Sequence, residues 1–265
     1  MVTTPAPPST GKARVRFLHV LPKSPLLCPQ LILWCRRFER KRGLMQFRPL
    51  IWVEGVIGAG KTTFAREVAK RLELRLIEEP VESNPYLEPF YKDPKQFAFG
   101  MQMFLLHKRY AIQQLASFEA TGAGGFGGAI LDRSLSGDRV FAKLHKDAGN
   151  IHQLDWETYN MAYQTMARTL LPPTLLVFLD MQPETAFMRM QKRDRKAESG
   201  VPLDYLQKLH DGYQELLEEA DRGLLPWAHV VRVCRIPWDP DTVTPDQWDR
   251  VAKTIKGSCR FPTAT

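Results

Sequence analysis

Residues 50–62 read Leu50-Ile51-Trp52-Val53-Glu54-Gly55-Val56-Ile57-Gly58-Ala59-Gly60-Lys61-Thr62. The first five are an apolar run closed by an acid and a glycine, the pattern of a short strand buried on both faces. The next eight fill every fixed position of G-x-x-x-x-G-K-[ST]. Apolar residues over Thr62–Leu72 then recur at helical spacing. A strand, a glycine-rich turn and a helix start, in that order, build a site for phosphate. The glycines let backbone N–H groups converge on phosphate oxygens, and the helix adds free amides and the positive end of its dipole. Lys61 spreads charge over the β and γ phosphates, and the Thr62 hydroxyl is a ligand for Mg²⁺. Gly55, Gly58, Ala59, Gly60, Lys61, Thr62 and Thr63 are therefore the expected phosphate-binding residues.

On both sides of this stretch, apolar runs alternate with helical periodicity. Arg75–Glu79, Ala129–Asp132, Leu175–Asp180 and His229–Val233 read as further strands. Pro94–Ala120, Trp156–Leu171, Pro183–Arg193, Leu203–Ala220 and Pro245–Ile255 read as helices, with one more after Asp132. Strands alternating with helices predict an α/β fold: an open parallel five-stranded sheet covered by helices on both faces. The glycines of Thr121–Gly128 do not lie between a strand and a helix start, so they are a connector and no second phosphate loop.

Two domains of unequal kind are expected. Residues 1–46 hold nine basic side chains against Glu39 alone, and six prolines; residues 47–265 hold 28 basic and 28 acidic side chains. The net charge of +8 thus belongs to the extension and gives no support to a nucleic-acid-binding body. No apolar run approaches the ~20 residues of a membrane-spanning helix. Neither nucleic acid nor membrane is an expected partner. The four cysteines form no C-x-x-C pair, which favours a reducing compartment. The expected location is cytoplasmic, with a mitochondrial one as the alternative, because an Arg-rich, acid-poor leader has the composition of a targeting segment.

A phosphate loop occurs in GTPases, ATPases and kinases alike. The guanine-reading N-K-x-D is absent, and the sheet is small, which leaves a small-molecule kinase. Glu78 and Glu79 end the second strand. In an open α/β sheet that end faces the same crevice as the phosphate loop, where a carboxylate can take the proton of an acceptor hydroxyl. Arg189, Arg193 and Arg195 lie within seven residues and would repel one another unless they face an anion.

The phosphate loop, Glu79-Pro80-Val81, Phe90-Tyr91-Lys92-Asp93-Pro94-Lys95, Gln102, Asp132-Arg133-Ser134 and Arg193–Leu203 occur here in one order. That combination resembles the deoxynucleoside kinase family. The resemblance runs from about Leu50 to the end of the Leu203–Ala220 helix and more weakly to Ile255. It implies a P-loop kinase with an arginine-rich lid that uses ATP and Mg²⁺ to phosphorylate a small-molecule deoxynucleoside at its 5′-hydroxyl, and a homodimer. It implies Glu79 as general base, Tyr91 and Glu198 on the 3′-hydroxyl, and Gln102 on the base edge. It implies Arg133 beside the 5′-oxygen, Asp132 with Thr62 on the metal, and Arg189, Arg193 and Arg195 over the transferring group. Phe141 is the candidate ring to stack on the base. Ala197 stands where many relatives have a second acid, and Met101 where they often have an aromatic.

Arg109 follows Gln102 by two helical turns, so both can enter one pocket. The resemblance implies that a charged Arg109–Asp138 pair suits a purine base first and deoxycytidine next, with thymidine poorest. The alternative for that pair is an ordinary surface salt bridge. Two other functions fit less of the sequence: a nucleoside monophosphate kinase of the thymidylate kinase type, whose acceptor phosphate Glu79 would repel, and a nucleotide-binding regulatory module without turnover.

Overall fold

The computed structural model describes residues 48–78, 84–122, 124–194, 200–228, 231–239, 241 and 243–259. The chain divides into a unit over Met1–Leu44, outside the described residues, and a unit over Met45–Thr265. The extension expected over residues 1–46 therefore lies outside them, as do Glu79, Arg195 and Glu198.

Five parallel strands form one sheet in the order β2-β3-β1-β4-β5. They are β1 (Leu50–Glu54), β2 (Arg75–Ile77), β3 (Ala129–Asp132), β4 (Leu175–Asp180) and β5 (Arg232–Pro237). The helices are α1 (Lys61–Leu72), α2 (Leu87–Lys92), α3 (Pro94–Ala120), α4 (Leu135–Asp147), α5 (Gln153–Arg168), α6 (Pro183–Arg193), α7 (Leu203–Asp221) and α8 (Pro245–Ser258). The central strands β1 and β3 are buried along their whole length and carry the core, with Phe64 of α1 and Tyr213 of α7 packed against the sheet from the helices. This is the expected α/β architecture.

Helix starts follow local chemistry. The Asp93 carboxylate caps α3 by accepting from Gln96 N at 3.1 Å, ahead of Pro94. Ser134 caps α4, accepting from Ser136 N at 3.1 Å and Gly137 N at 3.3 Å. Thr244 and Gln247 form a reciprocal capping box at α8.

Three boundaries and one helix depart from expectation. β2 stops at Ile77, where its pairing with β3 ends, and Glu78 instead forms an ion pair with Arg66 at 2.7 Å. β5 runs on past the expected Val233 to Pro237, because an edge strand is placed by its ladder to β4, which runs from Leu175↔Arg232 to Asp180↔Pro237; the expected His229 and Val230 lie outside the described residues. α5 spans Gln153–Arg168 instead of Trp156–Leu171. Its exposed Leu154 hides the start from apolar periodicity, and Pro172 and Pro173 disfavour helix just before them. α2 was not expected, since Pro85 and Pro89 give its sequence the look of a loop and none of its residues is buried.

Gly128 joins the connector to β3 with φ +137°, and a Cβ there would sit 2.3 Å from the Pro49 carbonyl oxygen. That oxygen accepts from Ala129 N at 2.9 Å, so it cannot move without loosening the start of the sheet. Gly128→Ala is expected to lower stability by about 2–3 kcal/mol, read as a lower urea midpoint at unchanged slope. An unchanged midpoint would contradict this packing.

Candidate active site

The carboxyl ends of β1 and β3 emerge side by side, with Val53 opposite Asp132. The segments that leave these two ends line a crevice. After β1 comes the phosphate loop. Gly58 has φ +85°, and a Cβ there would lie 2.5 Å from the Ala186 carbonyl oxygen of α6, so no larger residue fits. Lys61 is buried and donates to the carbonyl oxygens of Gly55 at 3.0 Å and Val56 at 2.8 Å. Its ammonium is thereby drawn into the loop that precedes it. Gly60 ends the loop and no side chain caps α1, which leaves its first amides to an anion. Thr63 lies exposed at the same helix start.

After β3 comes Asp132-Arg133-Ser134. The Thr62 hydroxyl donates to Asp132 Oδ2, joining residues 70 positions apart. Asp132 Oδ1 is buried and has no hydrogen-bond partner among the described residues. An orphaned carboxylate oxygen beside a hydroxyl is the donor set of a hard divalent cation, so these residues fit Mg²⁺. Arg133 adopts a left-handed backbone, φ 72°, unusual for a side chain that large. Its N–H donates to Val53 O at 3.0 Å. Its guanidinium donates to the Tyr213 hydroxyl at 3.2 Å and lies 4.9 Å from the centre of the Phe141 ring.

Beside this lies a cluster of buried polar side chains. Arg109 of α3 and Asp138 of α4 form an ion pair whose side chains are 5% and 0% exposed. The surface salt bridge considered for this pair is thus ruled out. The Tyr159 hydroxyl donates to the other Asp138 oxygen. Burial holds the Tyr159 phenol far above its usual range, so it stays a donor. The Arg109 guanidinium also lies 5.8 Å from the Phe141 ring, so that ring stands between the two arginines. Gln102, two turns before Arg109, is 1% exposed, and its Oε1 has no partner among the described residues.

Tyr91 on α2 is half exposed and packs on Phe90. It is close enough to Tyr205 of α7 to raise that phenol further, on top of the larger effect of burial, while Arg133 and Arg109 oppose both. On α6, Arg189 donates to Gly58 O at 3.3 Å and pairs with Asp241, so one of the three expected lid arginines is held by a carboxylate. Arg193 is exposed at the last position of α6. Asp180, which ends β4, lies against His210 at 3.4 Å, away from the Thr62–Asp132 pair.

Several site residues escaped the sequence reading. Glu54, Tyr159, Tyr205 and Tyr213 all touch or hold the residues above. Only Glu54 left a signal, as an acid closing an otherwise apolar strand.

A phosphate loop, the Thr62–Asp132 pair and a buried polar cluster beside the carboxyl ends of a parallel sheet are the arrangement of a P-loop phosphotransferase. Comparison with known proteins places it more finely. The deoxynucleoside kinase family profile matches residues 51–252. The chain is 36% identical over 211 residues to the deoxyadenosine kinase of Dictyostelium discoideum, covering 80% of each chain. It is 35% identical over 168 residues to the deoxyadenosine/deoxycytidine kinase of Bacillus subtilis (strain 168), covering 62% of this chain and 75% of that relative. A solved structure of deoxyadenosine kinase from M. mycoides with bound dCTP superposes with a TM-score of 0.64 at 27% identity, covering 78% of this chain and 98% of that one. The chain belongs to the deoxynucleoside kinase family. It is an enzyme, a phosphotransferase acting on a deoxynucleoside.

His145 of α4 packs against the same wall, its ring 5.0 Å from Phe90 and 6.3 Å from Tyr205. Burial pushes its pKa down to about 4. The unfolded chain titrates near 6.5, so the neutral ring's contribution is complete above about pH 6.5 and is lost as pH falls toward 4, by at most about 3 kcal/mol. His145→Phe keeps an aromatic ring there and is expected to lose less stability than the parent protein between about pH 7 and about pH 5, measured by urea unfolding. Parallel losses in the two proteins would contradict this.

Proposed function

We propose that this enzyme transfers the γ-phosphoryl group of ATP to the 5′-hydroxyl of a purine deoxynucleoside, with deoxycytidine second. The observation that carries the base preference is the buried Arg109–Asp138 pair two helical turns from Gln102, whose Oε1 has no partner among the described residues. Such a pocket offers fixed donors and acceptors to a base edge bearing amino or carbonyl groups. It rejects a base that leaves them incomplete, since buried polar groups without partners are costly. The names of the Dictyostelium and Bacillus relatives, both of which include deoxyadenosine, support a purine substrate.

In this reading the amides of the phosphate loop bind the donor phosphates, and Lys61 leaves the Gly55 and Val56 carbonyls to meet them. Thr62 and Asp132 would hold Mg²⁺, which would neutralise charge on the phosphate oxygens. Tyr91 and Glu198 position the sugar, and Phe141 stacks on the base. Glu79 takes the proton of the 5′-hydroxyl, making the oxygen nucleophilic. Arg133, Arg193 and Arg195 stabilise charge on the group in transfer, and Arg189 joins them by exchanging Asp241 for phosphate. The helices α3 and α5 pack together and leave Leu115, Phe118, Leu154 and Met161 exposed, and we assign their outer surface to a homodimer.

Turnover of the four deoxynucleosides with ATP–Mg²⁺ is expected to rank deoxyadenosine and deoxyguanosine above deoxycytidine, and thymidine last. Arg109→Met combined with Asp138→Ala is expected to raise thymidine use relative to the purines; an unchanged ranking would rule out this pocket as the base reader. Glu79→Gln is expected to lower kcat by ~10²–10⁴-fold with nucleoside binding retained, and near-normal turnover would remove its role. Met161→Glu with Leu154→Glu is expected to yield a monomer by light scattering, and a persisting dimer would move the interface elsewhere.

A further inference from the structure

Glu54 is fully buried at the end of β1. Its Oε1 accepts from Ser134 N at 2.7 Å and from the Ser134 hydroxyl at 2.6 Å. Its Oε2 accepts from the Tyr213 hydroxyl at 2.9 Å. Three acceptances and no donation are the pattern of a carboxylate. The helix beginning at Leu135 is shaped around it: a Cβ on Gly137 would lie 2.4 Å from Glu54 Oε2. The Tyr213 oxygen in turn accepts from Arg133 Nη1 at 3.2 Å.

Arg133 is therefore tied to one carboxylate from two directions. Ser134, its chain neighbour, links the backbone to Oε1. Tyr213, 80 residues further along, links the tip of the guanidinium to Oε2. The phenol must donate to Glu54 if it is to accept from Arg133, so the order of the hydrogen bonds is fixed. Burial foremost, with Glu54 beside it, keeps that phenol protonated. We propose that Tyr213 and Glu54 are positioning residues, which hold the Arg133 guanidinium in the left-handed turn after β3 where it meets the reacting oxygen. The inference rests on the reading of Arg133 as an arginine at that oxygen. A merely structural account is also available: Glu54 would fix the cap of α4, and Tyr213 would pack on Phe178, 5.7 Å away. The two accounts differ in whether the effect of Tyr213 passes through Arg133.

The test is a double-mutant cycle on the full chain, with kcat and KM for the best deoxynucleoside and a melting curve for each variant. Tyr213→Phe keeps the ring and removes only the hydroxyl. It is expected to fold as the parent does and to lower kcat about tenfold, the effect of one hydrogen bond to a charged group, with KM nearly unchanged. Arg133→Ala is expected to lose ~10²-fold or more. In the Arg133→Ala background, adding Tyr213→Phe is expected to change kcat less than about twofold, since nothing remains to position. Glu54→Gln is expected to behave as Tyr213→Phe does. Equal losses from Tyr213→Phe in both backgrounds, or wild-type kcat in the folded single variant, would overturn the proposal. Wild-type kcat in Arg133→Ala would instead overturn the reading of Arg133 beneath it, and the two failures are told apart by that variant alone.

Discussion

The register between β1 and β3, Val53 opposite Asp132, is the constraint that places the whole site. Both strands are buried along their length, and their side chains are apolar except at the carboxyl ends. Sliding one strand past the other by a residue would exchange apolar side chains of different size along most of their length. At the ends it would turn Glu54 to the opposite face, away from Ser134 and Tyr213. A buried carboxylate stripped of its donors is destabilising by several kcal/mol. The same slip would separate Asp132 from the Thr62 hydroxyl. The polar ends of the two strands therefore pin a register that their apolar middles specify less sharply.

The buried polar groups around the crevice differ in how fully they are satisfied. Glu54 has three donors and is complete. Asp138 is matched on both oxygens, by Arg109 and by Tyr159. Gln102 Oε1 and Asp132 Oδ1 are incomplete among the described residues. Complete groups hold a geometry at all times, whereas incomplete ones at a crevice leave capacity for something that arrives. The division suits the function proposed above, with a rigid frame around Arg133 and open valences at Gln102 and Asp132.

What the sequence disclosed depended on how local its determinants are. The phosphate loop was legible because its residues are contiguous and each has a backbone or charge reason to be there. Four of the five strands were found from apolar runs; β5 runs on to Pro237, past the expected Val233, because an edge strand with Arg232 and Arg235 answers to its ladder. The Arg109–Asp138 pairing was legible only through resemblance, and the structure adds its burial. Tyr213 was not legible, because it meets Glu54 across 159 residues on a helix whose apolar stripe it fits equally well. A buried tyrosine at helical spacing looks the same whether its hydroxyl holds an arginine or only fills space. The expected Glu79, Arg195 and Glu198 lie outside the described residues, so for them the sequence remains the source.

Arg133 brings these threads together. A left-handed backbone at a large residue costs on the order of 1 kcal/mol and persists only where its surroundings over-determine it. Here they do so from both sides: its N–H is held by Val53 of β1, its neighbour Ser134 by Glu54, and its guanidinium by Tyr213. An extended or helical conformation at this position would redirect the chain after β3, so either Asp132 would leave Thr62 or Ser134 would leave the cap of α4. In the proposed reading, the left-handed turn lets one short segment, Asp132-Arg133-Ser134, serve metal, transferring group and helix cap in consecutive residues. Each pair of duties could be met by an ordinary turn, but the three together require the chain to reverse within one residue, and the buried Glu54 carboxylate keeps it there.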